Sequence, residues 1–249
     1  MVVNASNHEK DVAWLNQQNT YGVEITDQTQ QTAMIAVQGP AAVRLLAEHS
    51  DTEEALTNAP AFGVVRTNIE GVMCIACRSG YTGEDGYELV CRAGDAEGLW
   101  DALLNMGVKP CGLASRDALR VEAGLPLYGH ELGDDINPIA AGLGWVISKT
   151  KEFMGSEPIN RARKEGSPQK LQGIRLDSKR LLAPDMKVFV EDREVGYVTS
   201  GVYSVVLETS IGFAFIDSQL ALETPCEIDV RGKREPGRIV SKRFFKRAK

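Results

Sequence analysis

The spacing of apolar residues changes character along the chain. Up to about residue 168, stretches with a helical period alternate with stretches whose apolar positions alternate singly; beyond it only the second pattern remains. In "AEGLWDALLNMG", Leu99, Leu103 and Met106 recur at helical spacing, and Gly107 supplies a stop. "NHEKDVAWLNQQ" predicts a helix with Val12 and Leu15 on one side. Asn7 stands at its N-cap, and Glu9 and Asp11 sit in the first turn. "PAAVRLLAEHS" predicts a short helix with Pro40 in its first turn. Residues 112–124 predict another, capped by Ser115, stopped by Gly124 and followed by Pro126. "VEITDQT" and "TAMIAVQGP" read as strands. "FGVVRTNIEGVMCIACR" and "GYELVCR" read as a meander around the polar turn "SGYTGEDG". "LPLYGHELGDDINP" reads as a loop, and residues 156–169 as a short helix and a linker.

From "KLQGIRL" onward, short strands are punctuated by turn signals, which predicts a small barrel or sandwich. The expected class is therefore α+β. A mixed α/β region, 1–168, precedes a C-terminal β-barrel or jelly-roll-like domain, 169–249.

With 249 residues, 43% apolar and 25% charged, the chain has length enough for a substantial core. No apolar run is long enough to span a membrane, and no basic segment followed by an apolar one marks a signal or transit peptide. The five cysteines are odd in number and irregular in spacing, which suits reduced thiols in the cytoplasm, or in a mitochondrial matrix for a eukaryotic source. "CIAC" matches C-x-x-C, but no second pair completes a zinc site, and strand positions three apart face opposite ways. No metal is expected. The net charge of −6 is uneven: residues 231–249 hold nine basic residues and one acid, Glu235. That tail reads either as a solvated surface or as a docking surface for an anionic partner. No groove-reading motif accompanies it, so nucleic acid is not expected.

Several segments in order resemble the T protein of the glycine cleavage system, a tetrahydrofolate-dependent aminomethyltransferase family. They are "SGYTGEDGYEL" (79–89), "GLASRDALRVEAGLPLYGHEL" (112–132) and "INPIAAGLGWVI" (136–147). "VVNASNHEKD" (2–11), "GYVTSG" (196–201) and "VRGKREP" (230–236) agree in order and position, so the resemblance runs from end to end. It implies two interleaved mixed domains and a third, β-barrel domain. It also implies that the family's N-terminal third lies upstream of Met1. That segment would hold an Asp the family uses at the folate's reactive nitrogens, so no residue here is assigned as catalytic.

The implied reaction takes a methylene group from the aminomethyl-lipoyl arm of H protein to tetrahydrofolate, the acceptor substrate, with release of ammonia. The alternative is a folate-binding protein of the same superfamily without transferase activity on its own. The folate contacts implied by the resemblance are Asn4, Tyr81, Glu88 and Arg116. A carboxylate at Glu88 only accepts hydrogen bonds and so suits the N–H edge of a reduced pterin. On residue type alone it reads as an exposed strand Glu. Tyr81 offers a ring to stack and a hydroxyl to bond, or simple packing. Arg116 offers a fork for a carboxylate or a pterin acceptor, or a helix-surface charge. Asn4 carries an amide that donates and accepts. Glu84 and Asp85 read as turn-formers, with Gly80, Gly83 and Gly86 supplying backbone freedom. Tyr128 and Asp135 are placed at the mouth of the site. Phe244-Phe245 stands where many relatives carry Phe-Tyr, which implies that a hydroxyl is absent there.

Overall fold

The computed structural model describes residues 1–245, so Lys246, Arg247 and Lys249 of the basic tail lie outside the described residues. The chain forms two compact units. The first is Met1–Gly80 with Glu84–Pro110; the second is Tyr81–Gly83 with Cys111–Lys249. Among the described residues no helix is long and apolar enough to cross a membrane.

The first unit begins with helix α1 (His8–Gln18), which follows a 3-10 turn at Ala5–Asn7. Asn7 is at its N-cap but makes no side-chain capping bond. Four strands follow: β1 (Thr32–Gln38), β2 (Val64–Ile69), β3 (Val72–Cys77) and β4 (Gly86–Arg92). They pair antiparallel in the order β1-β4-β3-β2. Helices α2 (Ala42–Glu48) and α3 (Glu53–Asn58) lie between β1 and β2, and α4 (Ala96–Asn105) follows β4. One sheet face and these helices enclose a core that includes Val37, Leu46, Leu56, Ala76, Leu89 and Leu99. Side chains alternate across a strand. Tyr87, Leu89 and Cys91 of β4 are therefore buried, and the Tyr87 hydroxyl reaches the Leu56 carbonyl at 2.6 Å.

Segment 23–29 is not a strand. Val23 is exposed and Ile25 partly so, and Asp27 accepts from the Thr29 amide at 3.0 Å, turning the chain into a 3-10 turn at Thr29–Gln31. Alternation without a neighbouring strand leaves backbone groups to solvent, and the local Asp27 turn satisfies one of them instead. Pro40 precedes α2 rather than joining its first turn.

In the second unit, α5 (Leu113–Ala123) begins at Gly112, not Ser115. The Ser115 hydroxyl donates back to the Gly112 carbonyl from inside the first turn. Gly124 closes α5 in the left-handed conformation, φ 82°. Helix α6 (Ser156–Glu165) follows a long irregular segment. Six strands then close a barrel: β5 (Gln169–Leu176), β6 (Lys187–Val190), β7 (Arg193–Ser204), β8 (Thr209–Asp217), β9 (Pro225–Val230) and β10 (Lys233–Val240). Their order is β10-β5-β8-β7-β6-β9, and closure leaves no unpaired edge. Val188, Val198, Ala214, Ile216, Ile228 and Ile239 fill its interior. A second cluster, with Val121 of α5, Ala141, Ile211 and Phe213, packs α5 and the irregular segment on the barrel.

Backbone hydrogen bonds shielded by a closed, filled barrel open only with large-scale unfolding. Amides of Ile174, Val198, Ala214 and Ile216 are expected to exchange slowest with deuterium. Those of α1, which buries no side chain, are expected to exchange among the fastest. Equal protection in the two regions would contradict this ranking.

Candidate functional site

The turn between β3 and β4 is held from both ends of its first-unit flanks. Arg78 meets Asp85 with two bonds, Nε to Oδ1 at 3.1 Å and Nη2 to Oδ2 at 2.7 Å. The other Arg78 nitrogen caps the carbonyls of Thr57 and Ala59 at the end of α3. Asp85 also accepts from the Gly86 amide at 2.9 Å. The Arg78 side chain thus lowers the Asp85 carboxyl below its ordinary value. Asp85 is a turn-former, as its residue type implies, and its main partner is an arginine seven residues away.

The three glycines serve two purposes. Gly83 has φ 68°, which favours glycine, and a Cβ there would stand 2.5 Å from that of Ala123. Gly86 is required for space, because a Cβ there would strike the Val37 carbonyl and the Gln38 backbone, whereas a Cβ at Gly80 would meet the amide end of the Gln38 side chain.

Glu88 sits on the sheet face opposite the core. Directly paired residues share a face. Its neighbours across the sheet are Ala36 of β1 and Cys77 of β3. The next row on that face is Arg66, Ile75, Val90 and Met34, and Ile75 and Met34 are exposed. A groove of about 350 Å³ runs over this row and the next, between Arg66, Met73 and Arg92. A half-buried carboxylate on this face has lone pairs free to accept hydrogen bonds in defined directions. Burial, with Glu88 nearby, raises the Cys77 thiol above its ordinary value and keeps it protonated. Asn4, also in the first unit, is exposed and precedes the 3-10 turn, its carbonyl accepting from the Asn7 amide at 2.9 Å.

Tyr81 and Arg116 come together in the second unit, with the guanidinium 5.6 Å from the ring centroid. The Tyr81 hydroxyl donates to the carbonyls of Pro126 and Leu125. Burial first, with smaller opposing effects from Arg120 and Glu131, pushes its pKa up to about 12. The hydroxyl therefore remains a donor throughout the ordinary pH range. Tyr128 donates to Asp134 at 2.7 Å, and Asp134 and Asp135 are both exposed. Phe244 stacks on Phe213 with centroids 6.0 Å apart, and both Phe244 and Phe245 amides donate to the Glu122 carbonyl. The two aromatic rings are thus anchored through their backbone to the end of α5.

Residue type gave no warning of the buried charges behind Tyr81. Arg120 is 2% exposed and Glu131 0%. Arg120 donates to Glu131 at 3.0 Å, to Ser200 at 2.7 Å and to Asp117 at 2.7 Å. Ser200 donates to the other Glu131 oxygen at 2.6 Å. Glu122 is buried too and accepts from Ser204 at 2.6 Å. In a helix reading "SRDALRVEAG", the charges at 120 and 122 look solvent-facing. Only the barrel packed over them shows otherwise.

The GCVT N-terminal domain matches residues 1–151, and the glycine cleavage T-protein C-terminal barrel domain matches residues 169–246. An aminomethyltransferase of Anoxybacillus flavithermus is 42% identical over 256 residues, covering 100% of this chain and 70% of the relative. One of Geobacillus kaustophilus is 43% identical over 258 residues, with the same coverage. The crystal structure of the glycine cleavage system aminomethyltransferase T from Bartonella henselae superposes with a TM-score of 0.85 at 28% identity. It covers 97% of this chain and 67% of that one.

The lowered Asp85 carboxyl has a consequence for stability. A carboxyl whose folded pKa lies below its unfolded value stabilises the fold above the unfolded value, about 4, and that contribution fades as pH falls through the folded value. Asp85→Asn is expected to lower the urea midpoint at pH 7, with the gap to the unsubstituted protein narrowing below about pH 4. A gap independent of pH would show that the Arg78–Asp85 pair contributes nothing ionic.

Proposed function

The chain belongs to the glycine cleavage T-protein family, and from that premise we propose that it is a tetrahydrofolate-dependent aminomethyltransferase. The aminomethyl group arrives on the lipoyl arm of H protein. Its carbon–sulfur bond and its bond to the amine nitrogen break, and two bonds form to N5 and N10 of tetrahydrofolate. The two N–H protons leave with ammonia and with the dihydrolipoyl thiol. The products are 5,10-methylenetetrahydrofolate, ammonia and reduced H protein. No electron changes hands, so the protein's part is to hold the pterin, orient its nitrogens and keep water from an iminium-like intermediate.

The observation that carries this reading is the position of Glu88, half-buried on an open apolar sheet face. We assign it to the N–H edge of the pterin, with Asn4 as a further contact from the first unit. Tyr81 and Arg116 are the contacts assigned to the second unit. The stacked guanidinium supplies charge for a folate acceptor or carboxylate, and the ring supplies an apolar face. Residues 1–168 form the folate-binding region in this reading, and residues 169–249 the barrel domain.

Glu88→Ala is expected to weaken tetrahydrofolate binding by about 1.5–3 kcal/mol, the range for a hydrogen bond to a charged group. Titration calorimetry measures this, with circular dichroism to confirm folding; unchanged affinity would remove Glu88 from the site. Formation of methylenetetrahydrofolate from aminomethyl-loaded H protein separates a transferase from a folate-binding protein.

The basic strand β10 provides a surface for an acidic partner. Arg238 lies directly opposite Arg175 of β5, and Arg234 stacks 3.0 Å over the Phe189 ring. Association with H protein is expected to slow steeply as salt rises, and charge reversal at Arg238 to lower the on-rate more than it raises the off-rate. A salt-independent on-rate, measured by stopped flow, would return this strand to the role of a solvated surface.

A further inference from the structure

The Tyr81 hydroxyl is bonded to two backbone carbonyls, and what fixes those carbonyls decides where the ring lies. They belong to Leu125 and Pro126, in the loop that leaves α5. Pro126 has no N–H and cannot anchor itself by donation. Its neighbours do so instead. The Leu125 amide donates to the Arg120 carbonyl at 2.8 Å, and the Leu127 amide donates to Glu131 Oε2 at 2.9 Å. The same Glu131 oxygen takes the Arg120 guanidinium, and its other oxygen takes the Ser200 hydroxyl of β7. Glu131 is wholly buried, so it has no water to exchange these partners for. One carboxylate therefore ties the loop to both α5 and the barrel wall.

We propose that Glu131 is the positioning residue of the Tyr81–Arg116 pair. It holds the 125–127 segment in place, and through the two carbonyls of that segment it sets the ring that Arg116 covers. Ser200 is its anchor on the barrel. The register of β7 against β8 shifts between Val198 and Ser200, a bulge that redirects the strand at this point. The adjacent Thr199 carbonyl accepts from His130 Nδ1 at 2.9 Å, so the same bulge also holds the residue next to Glu131. The inference rests on the folate reading only for what the pair binds; the coupling itself is a property of the fold.

A double-mutant cycle tests it. Glu131→Gln keeps the size of the side chain and removes its charge, and Ser200→Ala removes the anchor while leaving the Arg120–Glu131 ion pair in place. Each is made with Tyr81 intact and with Tyr81→Phe, which deletes the hydroxyl that the carbonyls hold. Tetrahydrofolate affinity is expected to fall about tenfold for Glu131→Gln with Tyr81 intact, about 1.4 kcal/mol. With Tyr81→Phe it is expected to change less than about twofold. The same loss in both backgrounds, or none in either, would overturn the proposal. A second readout needs no ligand. The ¹³Cζ resonance of Tyr81, identified by its loss in Tyr81→Phe, is expected to move in both Glu131→Gln and Ser200→Ala, and to titrate at lower pH in Glu131→Gln. An unmoved resonance overturns the coupling even where folate binds. A moved resonance in a protein that binds no tetrahydrofolate upholds the coupling and counts against the folate reading instead.

Discussion

A guanidinium does not give up its proton inside a protein, so Arg120, once buried, obliges its surroundings to supply acceptors. Three chain segments do so: α5 through Asp117, the following loop through Glu131, and the barrel through Ser200. The cluster is closed, because Ser200 also bonds Glu131 and Glu131 also takes a backbone amide. Removing one member of such a set strands another, at a cost of about 3–5 kcal/mol for a broken buried pair. Apolar packing alone would tolerate several placements of α5 on the barrel. Directional bonds to a charge tolerate few. The placement of Tyr81 and Arg116 follows from that restriction.

The first unit reaches a comparable result by simpler means. A strand shows its two faces alternately, so burying Tyr87, Leu89 and Cys91 against the helices turns Glu88 and Val90 outward. The Arg78–Asp85 pair and the close approach of Gly86 to β1 then fix where β4 begins, and with it the register of Glu88 opposite Ala36 and Cys77. A shift of one residue would exchange the buried and open faces entirely. The polar turn is the device that prevents it.

Much of this architecture was legible along the chain. Helical spacing marked α4, stop signals marked the end of α5, turn signals marked the barrel strands, and the ordered segments from "SGYTGEDGYEL" to "VRGKREP" indicated the family. Local physics decides such features: a period shows which face is apolar, and a glycine shows where the backbone bends back. The same logic failed at 23–29, where the alternation was present but the chain turns locally at Asp27. It failed again at the start of α5, where Ser115 bonds back to Gly112 instead of capping.

The sequence by itself determined the class of fold, the family and the order of most elements, though not α3 or the irregular course of 23–29. It could not show that Arg120, Glu122 and Glu131 are buried, because burial belongs to whatever packs over a residue and not to its neighbours in the chain. Ser200 lies 80 residues from Arg120 and 69 from Glu131, and no local pattern announces such a meeting. The tertiary structure alone decided that these charges close on one another, that the Tyr81 hydroxyl finds Leu125 and Pro126, and that Tyr128 bonds Asp134. The physical reason is the same in each case. Hydrogen bonds between segments distant in sequence form only after the apolar surfaces that carry them have packed.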